Sequence, residues 1–287
     1  MMSIAEQAAR SMFASPTTRR SLSLHDGVLM SDDGSERYRV EGQRVFFLDD
    51  AETPNATDMA RNYSAFNELK QQLIRLLRAT LFSSIRSRAA DKAFQEFGRL
   101  TQGQFVLGVG GGPVRDFSSV NLNIGAWPNV EIVADAHALP YADESVEHVS
   151  CLAVLEHLRR PDIAIQEMVR VLRPGGYILI ETPGLQPYHG YPSHYQNFTI
   201  TGHDLLLERL GLEKLHSGAS IGPTSALITL ASEYMRQYLP GGALLGPLFK
   251  GSLGFLLMQL DRLVANRDNA YVLAGGVYFL GRKPLAR

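Results

Sequence analysis

Cysteine is nearly absent: Cys151 stands alone in 287 residues. One thiol forms no internal disulfide and no cysteine-rich zinc site, and no metal-ligand spacing is legible elsewhere. Its position in the apolar run Val149-Ser150-Cys151-Leu152 reads as a small buried residue at a strand end. An excess of charge of one sign is missing too. Lys plus Arg number 28 and Asp plus Glu 29, so no nucleic-acid partner is expected from the global charge. No uninterrupted apolar run approaches the ~20 residues of a membrane span. Residues 1–18 lack the apolar core of a secretory signal, and there is no internal repeat. A cytoplasmic protein is the expectation. Its length suits one large α/β domain with a smaller appendage.

What is present falls into four regions. Residues 1–20 read as a flexible start, and 21–60 as a small β module. In that module, Arg37-Tyr38-Arg39-Val40 and Arg44-Val45-Phe46-Phe47-Leu48 flank the turn signal Glu41-Gly42-Gln43. Residues 61–100 form an amphipathic helical linker: Phe66, Leu69, Leu73, Leu76, Leu77 and Leu81 recur mostly at helical spacing, with Lys70, Arg75, Arg78 and Arg86 on other faces. Residues 101–287 form the main domain. Its strands are expected at 105–107, 120–123, 130–134, 146–152 and 177–181. A helix starts at Pro161 and stops at Arg173-Pro174-Gly175-Gly176, and a capping box at Thr201-Gly202-His203-Asp204 opens another. The fold class is therefore α/β, a Rossmann-like, mostly parallel sheet with flanking helices, a small N-terminal β-hairpin module and a C-terminal helical insertion before a last strand within 271–282. The insertion, about 223–268, is expected to cover the active site. Its segment 239–260 is rich in Leu, Gly and Phe but interrupted by Pro240, Pro247 and Lys250. A peripheral membrane contact there is the alternative reading.

The chemistry-bearing feature is Val106-Leu107-Gly108-Val109-Gly110-Gly111-Gly112-Pro113, a buried strand running into a glycine loop that lets backbone N–H groups approach a ligand. It is not a dinucleotide fingerprint. The third glycine of G-x-G-x-x-G falls on Arg115 counted from Gly110, or on Pro113 counted from Gly108. Only seven residues, 113–119, precede the next strand, too few for a full crossover helix. A nicotinamide- or flavin-dependent oxidoreductase is disfavoured on both counts.

Downstream come Asp135-Ala136-His137-Ala138-Leu139-Pro140, then Val154-Leu155-Glu156-His157-Leu158, then Arg170-Val171-Leu172-Arg173-Pro174-Gly175-Gly176. In this order and spacing, with the glycine loop ahead of them, they resemble the class I S-adenosylmethionine-dependent methyltransferases, closest to the type 11 methyltransferase domain. The resemblance covers about 106–182. It implies that Gly108, Gly110 and Gly112 line the methionine and ribose of S-adenosylmethionine. It further implies that Asn123 meets the ribose hydroxyls, that Asp135 accepts from the adenine amino group beside Ala136, and that Leu152 and Ala153 lie under the sulfonium. Two positions depart from the family pattern, which has an acid where Gly108 and Asn123 stand. An amide accepts with less strength than a carboxylate. The implied activity is methyl transfer to a small-molecule, glycan or lipid-linked acceptor; the alternative is an inactive binding or scaffold protein that kept the fold. Residues 38–48 are also similar to the end of the zinc-ribbon modules that accompany some methyltransferases, here without cysteines and so without metal.

Acceptor-side groups are expected in the polar, aromatic segment 182–199, with His189 and His194 as candidate general bases. Glu156 and His157 read as orienting the chain after the fourth strand, and His137 and His148 as surface residues.

Overall fold

The computed structural model describes residues 2–48, 85–112, 115–190 and 193–285. Short apolar strands alternating with helices from residue 106 onward build a largely parallel sheet. An antiparallel meander extends one edge of it: β1 (Leu22–His25), β2 (Val28–Ser31), β3 (Arg37–Glu41) and β4 (Arg44–Phe46). The main strands are β5 (Val106–Val109), β6 (Val120–Asn123), β7 (Ile132–Val133), β8 (His148–Leu152), β9 (Tyr177–Pro183), β10 (Glu213–Ile221) and β11 (Gly276–Arg282). All eleven form one sheet in the order β1-β2-β3-β4-β7-β6-β5-β8-β9-β11-β10. From β4 to β9 every neighbouring pair is parallel, whereas β11 runs antiparallel to both β9 and β10. Strand order reverses between β5 and β8, the switch point where open α/β sheets bind ligands at the strand carboxyl ends.

The β module is larger than the expected hairpin. Two further strands precede it, and β4 is hydrogen-bonded into the main sheet, with Val45 opposite Ile132 and Phe46 opposite Val133. A module too small for its own core gains one by sharing that of the domain. The chain start is ordered rather than loose. Helix α1 (Ile4–Ala9) opens with a Ser3–Glu6 capping box. Phe13 is fully buried, with its ring 5.3 Å from that of Tyr141. Arg19 makes a bidentate pair with Glu167 at 2.9 and 2.8 Å. Burial of one such aromatic is worth roughly 1.5–3 kcal/mol, enough to hold a short segment down.

The expected helix periodicity over 66–81 lies outside the described residues. Helix α2 (Arg88–Leu100), capped by Ser87, buries Ala90, Ala93, Phe94 and Phe97, a stripe at helical spacing. Arg86, expected on a basic face, stacks over Phe94 at 4.1 Å and lies 3.7 Å from Glu181. Helix α3 (Pro161–Val171) begins with Pro161 in its first turn and buries Ala164, Ile165, Met168 and Val171. Helix α4 (Ile200–Arg209) is capped by Thr199, which accepts from the Gly202 N–H. The expected box at Thr201 is thus two residues late.

The insertion between β10 and β11 is helical: α5 (Pro223–Tyr238), then α6 (Gly242–Phe249), which runs through a π turn at Lys250–Gly254 into α7 (Phe255–Met258), then α8 (Asp261–Val264). Pro247 lies inside α6 without ending it; the π turn directly after it takes up the local irregularity. The insertion leaves the carboxyl end of β10 and returns opposite Pro183, so it rises from the same rim of the sheet as the glycine loop. No helix of the described residues is long and apolar enough to cross a membrane. Cys151 is fully buried and its thiol is pushed well above the usual range by desolvation.

Candidate active site

The loop after β5 turns sharply at Gly110, whose φ is +77°. A Cβ at Gly110 would overlap Val154, on the segment following β8. Gly112 differs: among the described residues a Cβ there meets nothing within 4 Å, and its backbone is outside the left-handed region. That open side is where a ligand can approach the loop.

The missing acid at Gly108 has not left a vacancy. A Cβ there would lie 2.5 Å from Asn121 Oδ1 and 2.7 Å from Ser118 Cβ. Ser118 donates to Asn121 Oδ1, and Asn121 Nδ2 donates to the Asn129 carbonyl at 2.9 Å. Ser118 comes from the short link between β5 and β6, and Asn121 from β6 itself, where it pairs with Gly108 across the ladder. Beneath the loop they border a cavity of about 70 Å³, shared with Ser150 and Leu152. Small-molecule sites usually occupy ~300–1,000 Å³, so a nucleoside ligand does not fit inside it and would instead lie across the open rim.

Asn123, at the end of β6, serves the loop itself. Its Nδ2 donates to the carbonyls of Gly110 (3.1 Å) and Gly111 (3.0 Å), and its Oδ1 accepts from the Gly125 N–H at 3.0 Å. One Oδ1 lone pair is left for a ribose hydroxyl. Asp135 stands after β7, half-exposed; its Oδ1 accepts from the His137 N–H at 2.9 Å and faces His137 Nδ1 at 2.6 Å. Ala136 beside it is buried. Leu152 ends β8, and Ala153 adopts φ +54°, unusual for a residue with a side chain. Glycine loop, Asp135 and Leu152-Ala153 thus border one stretch of rim at the switch point. Backbone donors, a carboxylate and apolar walls fit a cationic amphipathic nucleoside such as S-adenosylmethionine along that rim.

The meeting of His189, from the 182–199 segment, with Glu156 and His157 was not legible in the sequence. Glu156, in the 3-10 turn Leu155–His157, is completely buried, and neither carboxylate oxygen has a hydrogen-bond partner among the described residues. His157 Nε2 and His189 Nε2 face its Oε1 at 3.6 and 3.8 Å. The facing carboxylate raises the basicity of His189. His194 makes other contacts. Its Nδ1 accepts from the His189 backbone N–H at 3.2 Å, and its Nε2 lies 2.8 Å from Asn197 Oδ1 and 3.0 Å from the Gln196 carbonyl. It therefore positions His189 and has no free nitrogen for an acceptor. Backbone bonds from Gly184, Leu185 and Phe198 to Gly275, Ala274 and Pro183 tie the 184–198 loop to the rim.

Glu181, two residues before the end of β9, is a further ionisable group that sequence reasoning passed over. Burial raises its carboxyl above the usual range, opposed by Ser220 and Arg86. The available signal was a carboxylate closing the apolar run Tyr177-Ile178-Leu179-Ile180. His148, expected at the surface, is buried against Gln104 (3.0 Å) and the Tyr177 N–H (3.1 Å).

A doubly flanked, largely parallel sheet with its polar groups gathered at the switch point defines a Rossmann-like ligand-binding domain. Residues 116–180 match the family model described as a methyltransferase domain. The glycine loop, 108–112, lies just before the matched segment. The chain is similar to an uncharacterized methyltransferase of Schizosaccharomyces pombe, with 35% identity over 80 residues, 28% of this chain and 27% of that protein. It is also similar to the ubiquinone/menaquinone biosynthesis C-methyltransferase of Hahella chejuensis, 45% identical over 60 residues, 21% of this chain and 24% of that protein. The matched part thus spans about a quarter of the length of these relatives. Among solved structures, a phosphoethanolamine N-methyltransferase of Haemonchus contortus with bound S-adenosylmethionine covers 67% of this chain and 51% of its own at a TM-score of 0.44 and 15% identity. The zinc-ribbon likeness of residues 38–48 is not confirmed; they are strands β3 and β4 of the meander and lead into Phe47 and Leu48.

Proposed function

We propose that this protein transfers the methyl group of S-adenosylmethionine to a small-molecule, glycan or lipid-linked acceptor. The observation that carries the reading is the convergence of an open-sided glycine loop, Asp135 and Leu152-Ala153 on the switch point of a methyltransferase domain. Gly110 and Gly112 would hold the methionine and ribose part, Asn123 one ribose hydroxyl, Asp135 the adenine amino group beside Ala136, and Leu152 and Ala153 the wall below the sulfonium. Gly108 supports the loop through the Asn121–Ser118 pair that replaces the family's acid. The bound cosubstrate supplies an electrophilic methyl group; the chain aligns an acceptor atom with it, which is most of what such a transfer requires. The acceptor side is the 184–199 loop with His189, positioned by His194, and the helical insertion standing on the same rim.

The insertion supports a lipid-linked acceptor or a peripheral membrane contact through 239–260. Its packing is inverted relative to an ordinary surface helix. Gly242, Gly246 and Gly254 turn toward α5, where Cβ atoms would overlap Met235 and Ser232 backbone and lie 2.7 Å from Ile228. Leu244, Leu248, Leu253, Leu256 and Leu260 point to solvent. Small residues inside and leucines outside suit apolar surroundings.

Titration of the purified protein with S-adenosylmethionine and S-adenosylhomocysteine, beside Asp135→Ala, tests the reading. Micromolar binding, about −8 kcal/mol, that Asp135→Ala loses is expected. No binding by the wild-type protein sinks it. Co-sedimentation with anionic vesicles that is lost in Leu244→Ser/Leu248→Ser/Leu256→Ser tests the membrane contact, and a wild-type protein that stays in the supernatant refutes it.

A further inference from the structure

We propose that Glu156, His157 and His189 form a binding site for one divalent transition-metal ion of the zinc, cobalt or iron class, with at least one coordination position left open. The carboxylate comes first. Glu156 is fully buried, and among the described residues neither of its oxygens has a hydrogen-bond partner, a costly state unless a charge compensates it. The two imidazoles that face it do not do so directly, because 3.6 and 3.8 Å are too long for hydrogen bonds. Those separations instead match the spacing of donors around a small ion. Two ligands each ~2.1 Å from a tetrahedral centre lie roughly 3.4 Å apart. All three donor atoms sit within 4.8 Å of one another.

The second shell points the same way. His157 Nδ1 lies 2.6 Å from the Ser193 carbonyl, and His189 Nδ1 lies 3.1 Å from the Pro187 carbonyl. Each contact places the ring proton on Nδ1 and leaves the Nε2 lone pair aimed at Glu156. Metal-binding histidines are commonly oriented by such a bond from the other nitrogen to a carbonyl. Two imidazoles with one carboxylate favour zinc, cobalt or iron over magnesium or calcium, which take oxygen ligands. Three protein ligands leave room for a water or an acceptor oxygen, the pattern of catalytic rather than structural sites. The site ties the turn after β8 to the 184–199 loop. It does not depend on the methyltransferase reading, since none of its atoms belongs to the proposed cosubstrate groove.

The test uses the full chain, stripped with a chelator, dialysed, and titrated with Zn²⁺ and with Co²⁺. One equivalent of ion per chain is expected, with Co²⁺ giving the visible absorption of a four- or five-coordinate ion. His157→Ala, His189→Ala and Glu156→Gln should each weaken binding by more than about 100-fold, since loss of an outer-shell partner alone costs 10–100-fold. His216→Ala, which alters an exposed histidine paired with Glu96 at 3.0 Å, should leave affinity unchanged. His189 is half-exposed, so His189→Ala decides the matter even where the buried variants fail to fold. Absence of bound ion, binding undiminished in His189→Ala, or equal loss in His216→Ala overturns the proposal. S-adenosylmethionine titration of the same stripped protein reports separately on the methyl-donor site.

Discussion

Gly112→Ala separates ligand contact from folding. At Gly112 an added Cβ meets no atom of the described residues within 4 Å, and no positive φ strains it. The folded state should tolerate the methyl group, and the loss of unfolded-chain freedom should add about 0.4–1 kcal/mol of stability. With ~2.1 cal/mol/K of unfolding entropy per residue, a chain of 287 residues has roughly 0.6 kcal/mol/K in total, so Tm should rise by about 1–2 °C. The same methyl group lies where the nucleoside must approach the loop, so affinity for S-adenosylmethionine should fall at least tenfold, about 1.4 kcal/mol. Gly110→Ala supplies the contrast. It combines left-handed backbone strain of ~1–2 kcal/mol with overpacking against Val154 of ~1–3 kcal/mol, lowering Tm by roughly 3–8 °C. Val154→Ala in that background should recover part of the loss. Differential scanning calorimetry and isothermal titration calorimetry on the two variants read both quantities. A Gly112→Ala protein that melts normally and binds S-adenosylmethionine like the wild type refutes the placement of the ligand on that side of the loop.

Asn123→Asp restores the acid of the family pattern, yet it should weaken the protein by about 2–4 kcal/mol, because the Gly110 and Gly111 carbonyls lose their donor and face a carboxylate instead. A gain in S-adenosylmethionine affinity without loss of Tm would contradict that account. Stability should also fall with acidity. Burial lowers His148 and His203 to about 4, against about 6.5 in the unfolded chain. Both are neutral in the fold above pH 4, so unfolding takes up protons between about 6.5 and 4. Their contribution is complete above pH 6.5 and declines by up to about 1.4 kcal/mol per pH unit for each group as pH falls toward 4. Neither ring nitrogen of His203 has a hydrogen bond among the described residues, so His203→Leu should flatten part of this slope and melt higher than wild type at pH 5. An unchanged slope in urea melts from pH 7.5 to 4.5 would count against it.

Local pattern was enough for the elements whose signals are short-range. Pro161 at a helix start, the buried stripe Ala164, Ile165, Met168 and Val171, and the strands 120–123 and 177–181 all appear within a few residues of their expected places. β10 was missed because its surface-facing half, Glu213-Lys214-Leu215-His216, carries no apolar alternation; its identity comes from pairing with β11. The ordered chain start was missed for the same reason. Phe13 and Arg19 are held by Tyr141 and Glu167, more than a hundred residues away.

By itself, the sequence determined the α/β alternation, the glycine loop at a strand end, and the order of motifs that marks a methyltransferase domain, because each depends on neighbours close along the chain. Tertiary structure alone decided how the β meander joins β7, that Asn121 and Ser118 occupy the place of the missing acid, and that Asn123 holds the loop. It also brought Glu156 and His157 to His189 across more than thirty residues. Such convergence depends on how the strand ends and loops fold against one another, and residue spacing does not encode which side chains meet at a rim.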